Sequence, residues 1–192
     1  KYYSVSESSK TIKKEGFSYS KIAGDSIEKI TQSNNDIRCI TAAMEVGTGL
    51  SEFIEKYPDK YIDVGIAEEH AVTYAGGLAA SGLVPIVCIY STFMQRAFDC
   101  IFHDILLQDL PVIFCMDRAG LVGPDGPTHH GIFDISMLNI LPNIIITAPK
   151  DGNELLDILY TATKLKKPFA IRYPKDSARN YNIDKIPALV TL

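Results

Sequence analysis

Pro85-Ile-Val-Cys-Ile-Tyr90 is an almost unbroken apolar run, and it decides the class of fold. A strand with one face in water alternates apolar and polar residues, whereas this run has no strongly polar position. Such a strand is covered on both faces, which is typical of a parallel sheet with helices on each side. The run therefore predicts an α/β domain with a doubly wound sheet.

The rest of the chain alternates helical periodicity with short β-branched runs, the pattern of consecutive βαβ units. Strands are predicted at 37–41, 61–64, 84–90, 112–117, 144–147 and 169–172. Helices are predicted at 20–33, 49–57, 67–81, 93–107 and 152–166. Together they predict one domain, residues 20–173, with a mainly parallel six-stranded sheet. Residues 1–19 and 174–192 are predicted to be linkers to neighbouring segments.

Composition excludes several classes of protein. With 192 residues, 46% of them hydrophobic, the chain can bury one sizeable core. Its net charge of −4 gives no electrostatic reason to expect nucleic acid or an anionic membrane as a partner. Its apolar runs are far shorter than the ~20 residues of a membrane span. Its four cysteines lack CxxC spacing, so we expect a reducing, cytosol-like compartment.

Val64-Gly-Ile-Ala-Glu-Glu-His70 is a predicted strand that runs directly into a helix. Glu68 then lies in the first helical turn, where the helix dipole favours a carboxylate. Two interpretations remain open, because Glu68 and Glu69 are either ordinary first-turn acids or part of a site. Gly76 and Gly77 follow in the same helix and indicate close packing, with a subunit interface as one location.

Tyr90-Ser-Thr-Phe-Met-Gln-Arg96 is a second strand end that enters a helix. Ser91 or Thr92 is expected to cap that helix. Phe93 either stacks on a ligand ring or joins the buried stripe of the helix. Arg96 shares a helical face with Asp99 and His103, and from spacing alone we interpret it as a solvated ion-pair face.

The segment from Asp117 to Gly131, Asp-Arg-Ala-Gly-Leu-Val-Gly-Pro-Asp-Gly-Pro-Thr-His-His-Gly, is the most unusual in the chain. A metal site at Asp125, His129 and His130 is disfavoured because adjacent histidines rarely point the same way. Glycines that allow close backbone approach, together with Arg118, favour an anion site. Asp125 is alternatively an ordinary turn residue. Neither a dinucleotide or P-loop signature nor a hydrolase elbow is found.

In this order the motifs resemble the central domain of the 1-deoxy-D-xylulose-5-phosphate synthase family, within the transketolase-like thiamine diphosphate enzymes. The resemblance extends from residue 37 to residue 174. It rests on Ile-Ala-Glu-x-His at 66–70, Tyr-Ser-Thr-Phe-x-Gln-Arg at 90–96, Asp-Arg-Ala-Gly at 117–120, Asp-Gly-x-Thr-His at 125–129 and Arg-Tyr-Pro at 172–174. The first motif is shared with transketolase and with the β subunit of 2-oxo-acid dehydrogenases, whereas the 117–129 loop is closer to the synthases.

The resemblance implies a cofactor site on this chain. Glu68 would hydrogen-bond the aminopyrimidine of thiamine diphosphate and favour its imino tautomer, which removes the proton from the thiazolium carbon. Phe93 would stack on the pyrimidine, and Ile66 would help to hold the cofactor bent. Nothing in the chain resembles the Gly-Asp-Gly to Asn segment with which such enzymes bind Mg²⁺ and the diphosphate. That segment is expected on a missing N-terminal domain.

The resemblance also implies the substrates, which are pyruvate and D-glyceraldehyde 3-phosphate. Arg118 and Arg172 would bind the phosphate of the aldehyde with help from Tyr90, because guanidinium groups suit a dianion. Arg96 is a weaker assignment as a substrate contact. Asp125 and His129 would organise the loop around the pyruvate-derived intermediate.

Two departures from the family pattern are Glu69, where other members can have Gln, and Pro124 before Asp125. The fragment is expected to be inactive alone, to need missing N- and C-terminal domains, and to belong to a homodimer in the cytoplasm or a plastid stroma. The remaining alternatives are the matching domain of a transketolase, a β-type dehydrogenase subunit, and a catalytically silent pairing module.

Overall fold

One parallel sheet forms the centre of the computed structural model, which describes residues 16–191. Its six strands are β1 (Ile37–Thr41), β2 (Tyr61–Asp63), β3 (Val84–Tyr90), β4 (Ile113–Asp117), β5 (Ile145–Thr147) and β6 (Phe169–Arg172). Their order in the sheet is β2-β1-β3-β4-β6-β5, and every neighbouring pair is parallel. The predicted fold is confirmed. The predicted bounds match for β1, β3 and β6 and differ by one residue for the other strands.

Helices connect the strands. They are α1 (Tyr19–Thr31), α2 (Ser51–Lys56), α3 (Glu68–Ala80), α4 (Phe98–Cys100), α5 (Asp134–Asn139) and α6 (Gly152–Leu165). The predicted bounds of α1, α2, α3 and α6 hold to within two residues. Side chains cap two of these helices, because Ser18 accepts from Lys21 N and Asp151 accepts from Glu154 N. Among the described residues, none of the helices has the length and apolar character needed to cross a bilayer.

The two faces of the sheet carry separate hydrophobic cores. Ile86 and Cys88 of β3 pack in a core that contains α1 and α6 side chains, whereas Val87 and Ile89 pack in one that contains α3 side chains. All four side chains are at most 1% exposed. Fully burying one Ile or Val contributes about 1.5–3 kcal/mol. The unbroken apolar run in β3 therefore follows from burial on both faces, as predicted.

The single α-helix predicted at 93–107 is wrong. The segment has a 3-10 turn at Phe93–Ala97, one α turn at Phe98–Cys100 and a π-helix at Ile101–Leu106. It packs closely on α3, where a Cβ added at Gly76 would lie 3.0 Å from Ile105 Cδ1. The apolar pattern predicts which residues are buried, but not whether the backbone winds as an α, 3-10 or π helix. A contact inside this chain therefore accounts for Gly76, one of the two adjacent glycines of α3.

Two other local predictions need correction. The expected cap by Ser91 or Thr92 does not form, because neither side chain accepts from a backbone N–H of the 3-10 turn that follows; Thr92 Oγ1 accepts only from the Gln95 side chain. Helix α5 was not predicted. Its buried residues are Asp134 and Leu138, whereas Ile135 is 50% exposed, so an apolar residue on the outer face obscures the helical period.

Residues 174–191 follow the surface of α1 and α6. Tyr19 N donates to Asp176 O, and Ser18 and Ser177 form an isolated bridge. Farther along, Ala188 N donates to Asp157 Oδ1. Most of the predicted N-terminal linker, residues 1–15, and the final residue, 192, lie outside the described residues. The assignment of both ends as linkers stays a prediction.

Candidate functional site at the carboxyl edge of the sheet

The predicted site residues come together at one edge of the sheet. Tyr90 ends β3, Arg172 ends β6, and Arg118 follows the last residue of β4. Glu68 begins α3, just after the loop that leaves β2. Because parallel strands end at a common edge, all four residues lie at the carboxyl edge, where open α/β sheets bind ligands.

Glu68 is a buried carboxylate. Its side chain is 1% exposed, whereas the adjacent Glu69 is exposed. Arg96 Nη1 lies 2.5 Å from Glu68 Oε1, and the Arg96 side chain is 48% exposed. Desolvation of an unpaired carboxylate costs on the order of several kcal/mol, so a charged partner is required. Glu69 is an ordinary first-turn acid, whereas Glu68 needs another explanation.

The interpretation of Arg96 as part of a solvated ion-pair face is wrong. His103 Nδ1 does lie 3.0 Å from Asp99 Oδ1, but Arg96 pairs with Glu68 instead. In the 3-10 turn Phe93–Ala97, side chains three residues apart eclipse, and Arg96 accordingly lies over the Phe93 ring.

Phe93 joins the second motif to the histidine loop. Its ring stacks on Tyr90 with centroids 5.7 Å apart and meets the edge of His129 at 5.3 Å. The guanidinium carbon of Arg96 lies 4.8 Å from the centre of the same ring. Phe93 packs partly on the hydrophobic core but keeps some exposure. Ile66, in the loop before α3, is 82% exposed.

Arg118 is held from four sides. Its Nη1 donates to Gly47 O at 2.6 Å and to Asp117 Oδ1 at 3.0 Å. Its Nε lies 3.5 Å from Asp125 Oδ2, and its guanidinium carbon lies 3.8 Å from the centre of the Tyr90 ring. The residue is 9% exposed. These contacts use Nη1 and Nε, and they fix a nearly buried cation beside the exposed edge of the site.

Asp117 has the most perturbed carboxyl group of the site. Burial raises its pKa to about 6, against the opposing effects of Ser20 and Arg118. Burial also raises the pKa of Tyr90, which Arg118 opposes. Asp117 Oδ2 has no donor in hydrogen-bonding geometry within residues 16–191. The pair of Asp117 and Arg118 is therefore only partly satisfied.

Arg172 has its own carboxylate partner. Its Nε donates to Asp134 Oδ2 at 2.8 Å, and the Asp134 side chain is 2% exposed. The other oxygen of Asp134 accepts from Ile135 N, so the start of α5 orients this carboxylate. Arg172 and Arg118, predicted to act together on one phosphate, thus belong to two separately paired groups at the ends of the neighbouring strands β6 and β4.

The two adjacent histidines point to different partners. Val122 N donates to His130 Nδ1 at 3.1 Å, whereas His129 Nδ1 lies 3.0 Å from Thr128 Oγ1. In the part of the chain that the structure describes, no group of three His, Cys, Asp or Glu side chains is arranged to hold a metal ion. The loop is organised instead by its own turns and by ion pairs of Asp125.

Several residues of the site were not singled out from the sequence. A Cβ added at Gly47 would lie 1.7 Å from the Tyr90 hydroxyl, and one at Gly131 would lie 2.5 Å from Arg118 O. Asp134 and Lys175 form ion pairs with Arg172 and Asp125. The only sequence signal was composition, since glycine close to a strand end marks a close approach of the backbone.

Comparison with known proteins identifies the family. The family model described as transketolase, pyrimidine binding domain, matches residues 15–180. The chain is 52% identical over 170 residues to the 1-deoxy-D-xylulose-5-phosphate synthase of Syntrophus aciditrophicus, covering 88% of this chain and 26% of the relative. It is 57% identical over 157 residues to that of Dictyoglomus thermophilum, covering 82% and 25%. The chain thus spans about a quarter of these relatives.

Solved structures agree on the fold. A split-gene transketolase, described as an inactive beta4 tetramer, superposes with a TM-score of 0.77 at 26% identity, over 88% of this chain and 56% of that one. Transketolase from Campylobacter jejuni superposes with a TM-score of 0.76 at 19% identity, over 88% and 27%. With the buried Glu68 at the carboxyl edge and the match over most of its length, the chain belongs to the transketolase pyrimidine-binding domain family.

Proposed function

We propose that this chain is the pyrimidine-binding part of a thiamine diphosphate-dependent 1-deoxy-D-xylulose-5-phosphate synthase. That enzyme joins pyruvate and D-glyceraldehyde 3-phosphate into 1-deoxy-D-xylulose 5-phosphate and releases CO₂. The relatives at 52% and 57% identity carry this name, whereas the transketolase structures are 26% and 19% identical. The observation that carries the proposal is the buried carboxylate of Glu68, which Arg96 links to the partly exposed ring of Phe93.

The residues fit the pyrimidine half of the cofactor. A buried carboxylate can hydrogen-bond a ring nitrogen, and an aromatic face can stack on a flat heterocycle. Glu68 and Phe93 supply these two groups, and Arg96 contacts both of them. Ile66 presents an exposed aliphatic side chain in the adjoining loop. When bound, thiamine diphosphate supplies the nucleophilic carbon and the electron sink of the reaction.

The chain's own residues then have separate tasks. Glu68 uses Oε1 for Arg96, and we assign Oε2 to the pyrimidine nitrogen, where the carboxylate shares a proton. Phe93 orients the pyrimidine ring, and His129, against the edge of Phe93, faces the substrate. Arg118, Tyr90 and Arg172 bind the acceptor phosphate.

The phosphate assignment has a structural basis at Arg118. Nη1 donates to Gly47 and Asp117, whereas Nε lies 3.5 Å from Asp125 Oδ2 and makes no hydrogen bond within residues 16–191; we assign Nη2 to a phosphate oxygen. Stacking on Tyr90 restricts the orientation of the guanidinium, which lowers the entropy lost on binding. Asp125 completes the site by holding the loop to Arg118.

The proposal requires parts outside this chain. We assign Mg²⁺ and the diphosphate group to a separate domain, because the chain spans about a quarter of its relatives and contains no sequence motif for them. We also propose a homodimer and a cytoplasmic location. Free cysteines, three of them buried, are compatible with a reducing compartment.

A matched pair of substitutions tests the role of Glu68 in the complete enzyme. Glu68→Gln should lower the formation of 1-deoxy-D-xylulose 5-phosphate by at least about 100-fold, because an amide cannot share the proton. Glu69→Gln is the control, since Glu69 is the exposed neighbour in the same helical turn. Product formation and CO₂ release are measured together. Similar turnover in both variants would contradict the role of Glu68.

The same assay separates the synthase from a transketolase. A synthase releases CO₂ from pyruvate in step with the pentulose phosphate product. A transketolase transfers a two-carbon unit between sugar phosphates, and no CO₂ is released. Transfer between sugar phosphates without decarboxylation would leave the family assignment intact but overturn the proposed reaction.

A further inference from the structure

Asp117 lies behind the substrate-binding residues and is fully buried. It ends β4 directly beside Tyr90 of β3, and Ser91 N donates to its carbonyl oxygen at 2.7 Å. Its side chain is 0% exposed. Asp117 therefore cannot touch a substrate, and any effect it has on the reaction must act through another residue.

The neighbour through which it acts is Arg118. Consecutive side chains of a strand point to opposite faces, so adjacent residues do not normally form an ion pair. Arg118 adopts a left-handed conformation, with φ of 60°, and this turn brings its Nη1 to 3.0 Å from Asp117 Oδ1. That conformation is unfavourable for a residue with a side chain. The unusual backbone is thus coupled to the contact between the two side chains.

We propose that Asp117 is a positioning residue for the acceptor phosphate: its buried carboxylate fixes the guanidinium of Arg118 on the Tyr90 ring in the orientation that binds the substrate. This inference rests on the proposed function, because it requires that Arg118 bind the phosphate. It adds a residue that makes no substrate contact and controls the geometry of one that does.

The surroundings of Asp117 favour this role over a purely structural one. Within residues 16–191, Asp117 Oδ2, Arg118 Nε, Ser91 Oγ and Tyr173 OH are buried without a partner in hydrogen-bonding geometry, although a hydrogen bond with Ser20 lowers the pKa of Asp117. Such a cluster costs stability, because an unpaired buried polar atom is unfavourable. Burial also raises the pKa of Asp117 to about 6, so ionisation is resisted by the fold. Residues that lower stability in this way are typical of functional sites.

The groups that face Asp117 come from four elements. Ser20 lies on α1, Arg118 follows β4, and Tyr173 follows β6. Tyr90 ends β3 beside Asp117, and Ser91 follows it. Cys88 and Cys115 lie within β3 and β4 and interact with Tyr173 or Asp117. Arg118 is the only cation among these seven residues. Protonation of Asp117 would therefore weaken its hold on Arg118 and on no other charged partner among them.

The test uses the complete enzyme and two aldehydes. Asp117→Asn keeps the shape of the side chain and removes its charge. We expect KM for D-glyceraldehyde 3-phosphate to rise about tenfold, because a charge-assisted hydrogen bond to Arg118 is weakened. We expect kcat with that aldehyde, and turnover with unphosphorylated glyceraldehyde, to stay unchanged. Asp109→Asn is the matched control, since Asp109 pairs with Lys167 on the exposed surface.

The pH profile provides a second readout that a structural role would not alter. The ratio of kcat/KM for wild type to that for Asp117→Asn should be about ten above pH ~6 and approach one below it, as Asp117 becomes neutral. The phosphate of the substrate also titrates near pH ~6. Because both enzymes use the same substrate, that titration cancels in the ratio.

Each outcome decides a separate question. Unchanged KM in a folded Asp117→Asn enzyme, or an equal loss with the unphosphorylated aldehyde, would overturn the inference. Arg118→Lys distinguishes the underlying assignment: if it also leaves KM for the phosphorylated aldehyde unchanged, the proposed phosphate site itself has failed. If neither Asp117→Asn nor Asp117→Ser folds, Asp117 serves folding, and the positioning role is wrong.

Discussion

The ends of β2 and β4 each lead to a buried carboxylate, and the two differ in their partners. Glu68, after β2, pairs with Arg96, whose side chain is 48% exposed. Asp117, at the end of β4, pairs with Arg118, whose side chain is 11% exposed and also contacts Asp125. One carboxylate thus has a solvent-facing partner beside the site, whereas the other is enclosed with its partner.

This difference indicates two uses of a buried charge. A carboxylate whose partner lies in solvent can exchange a hydrogen bond with a ligand at little structural cost. A carboxylate enclosed with its partner instead holds that partner in place, and the protein tolerates lower stability to keep it ionised. The first arrangement suits Glu68 as a contact to the pyrimidine, and the second suits Asp117 as a support.

Removing each arginine should give the largest difference between the two regions. We expect Arg118→Met to lower the free energy of unfolding by about 4 kcal/mol at pH 8, because it leaves the enclosed Asp117 without a cation. Arg96→Met should cost about 2 kcal/mol, since Arg96 is half exposed and its pairing is weakened by solvent. Urea unfolding of the chain measures both. Equal losses would contradict the distinction between the two ion pairs.

The next largest effect should be a pH dependence of the free energy of unfolding that comes from Asp117. Its pKa is about 6 in the folded chain and 3.8 in the reference state, so the folded chain binds more protons between these values. Stability from this group is present below pH ~4 and is lost as pH rises through ~6, a change of about 3 kcal/mol. Asp117→Asn should lack this loss and be the more stable protein at pH 8. Parallel stability curves for the two proteins from pH 4 to 8 would refute the enclosed ionised carboxylate.

Replacing a glycine by alanine should change the free energy of unfolding in opposite directions in the two regions. A Cβ at Gly131 would meet Arg118 O and Ser91 Oγ, each at 2.5 Å, so Gly131→Ala should destabilise the chain by about 2 kcal/mol. Gly77, within α3, has nothing within 4 Å of an added Cβ, so Gly77→Ala should stabilise it by about 1 kcal/mol. Thermal unfolding measures both changes. A stabilising Gly131→Ala would mean that the loop after β4 is less tightly packed than described.

Much of the site was predictable from the sequence, because the motifs of the family resemblance name its residues and strand ends in a parallel sheet share one edge. Glu68, Tyr90, Arg118 and Arg172 all lie there. Their partners were harder to predict. Arg96 was placed with Asp99 from helical spacing, yet it pairs with Glu68, because the segment after β3 winds as a 3-10 turn and packs on α3. Asp134 was missed because α5 exposes Ile135 and shows no clear period.

The sequence by itself determined the sheet and the positions of its strands, since continuous apolar runs such as that of β3 are stable only when both faces are covered. It also determined which chemical groups stand at the strand ends. Only the tertiary structure decided that Glu68 is buried while Glu69 is exposed, and that Asp117 and Arg118 turn toward each other. The reason is that burial and ion pairing depend on which strands and helices become neighbours, and residues far apart in the chain set that arrangement.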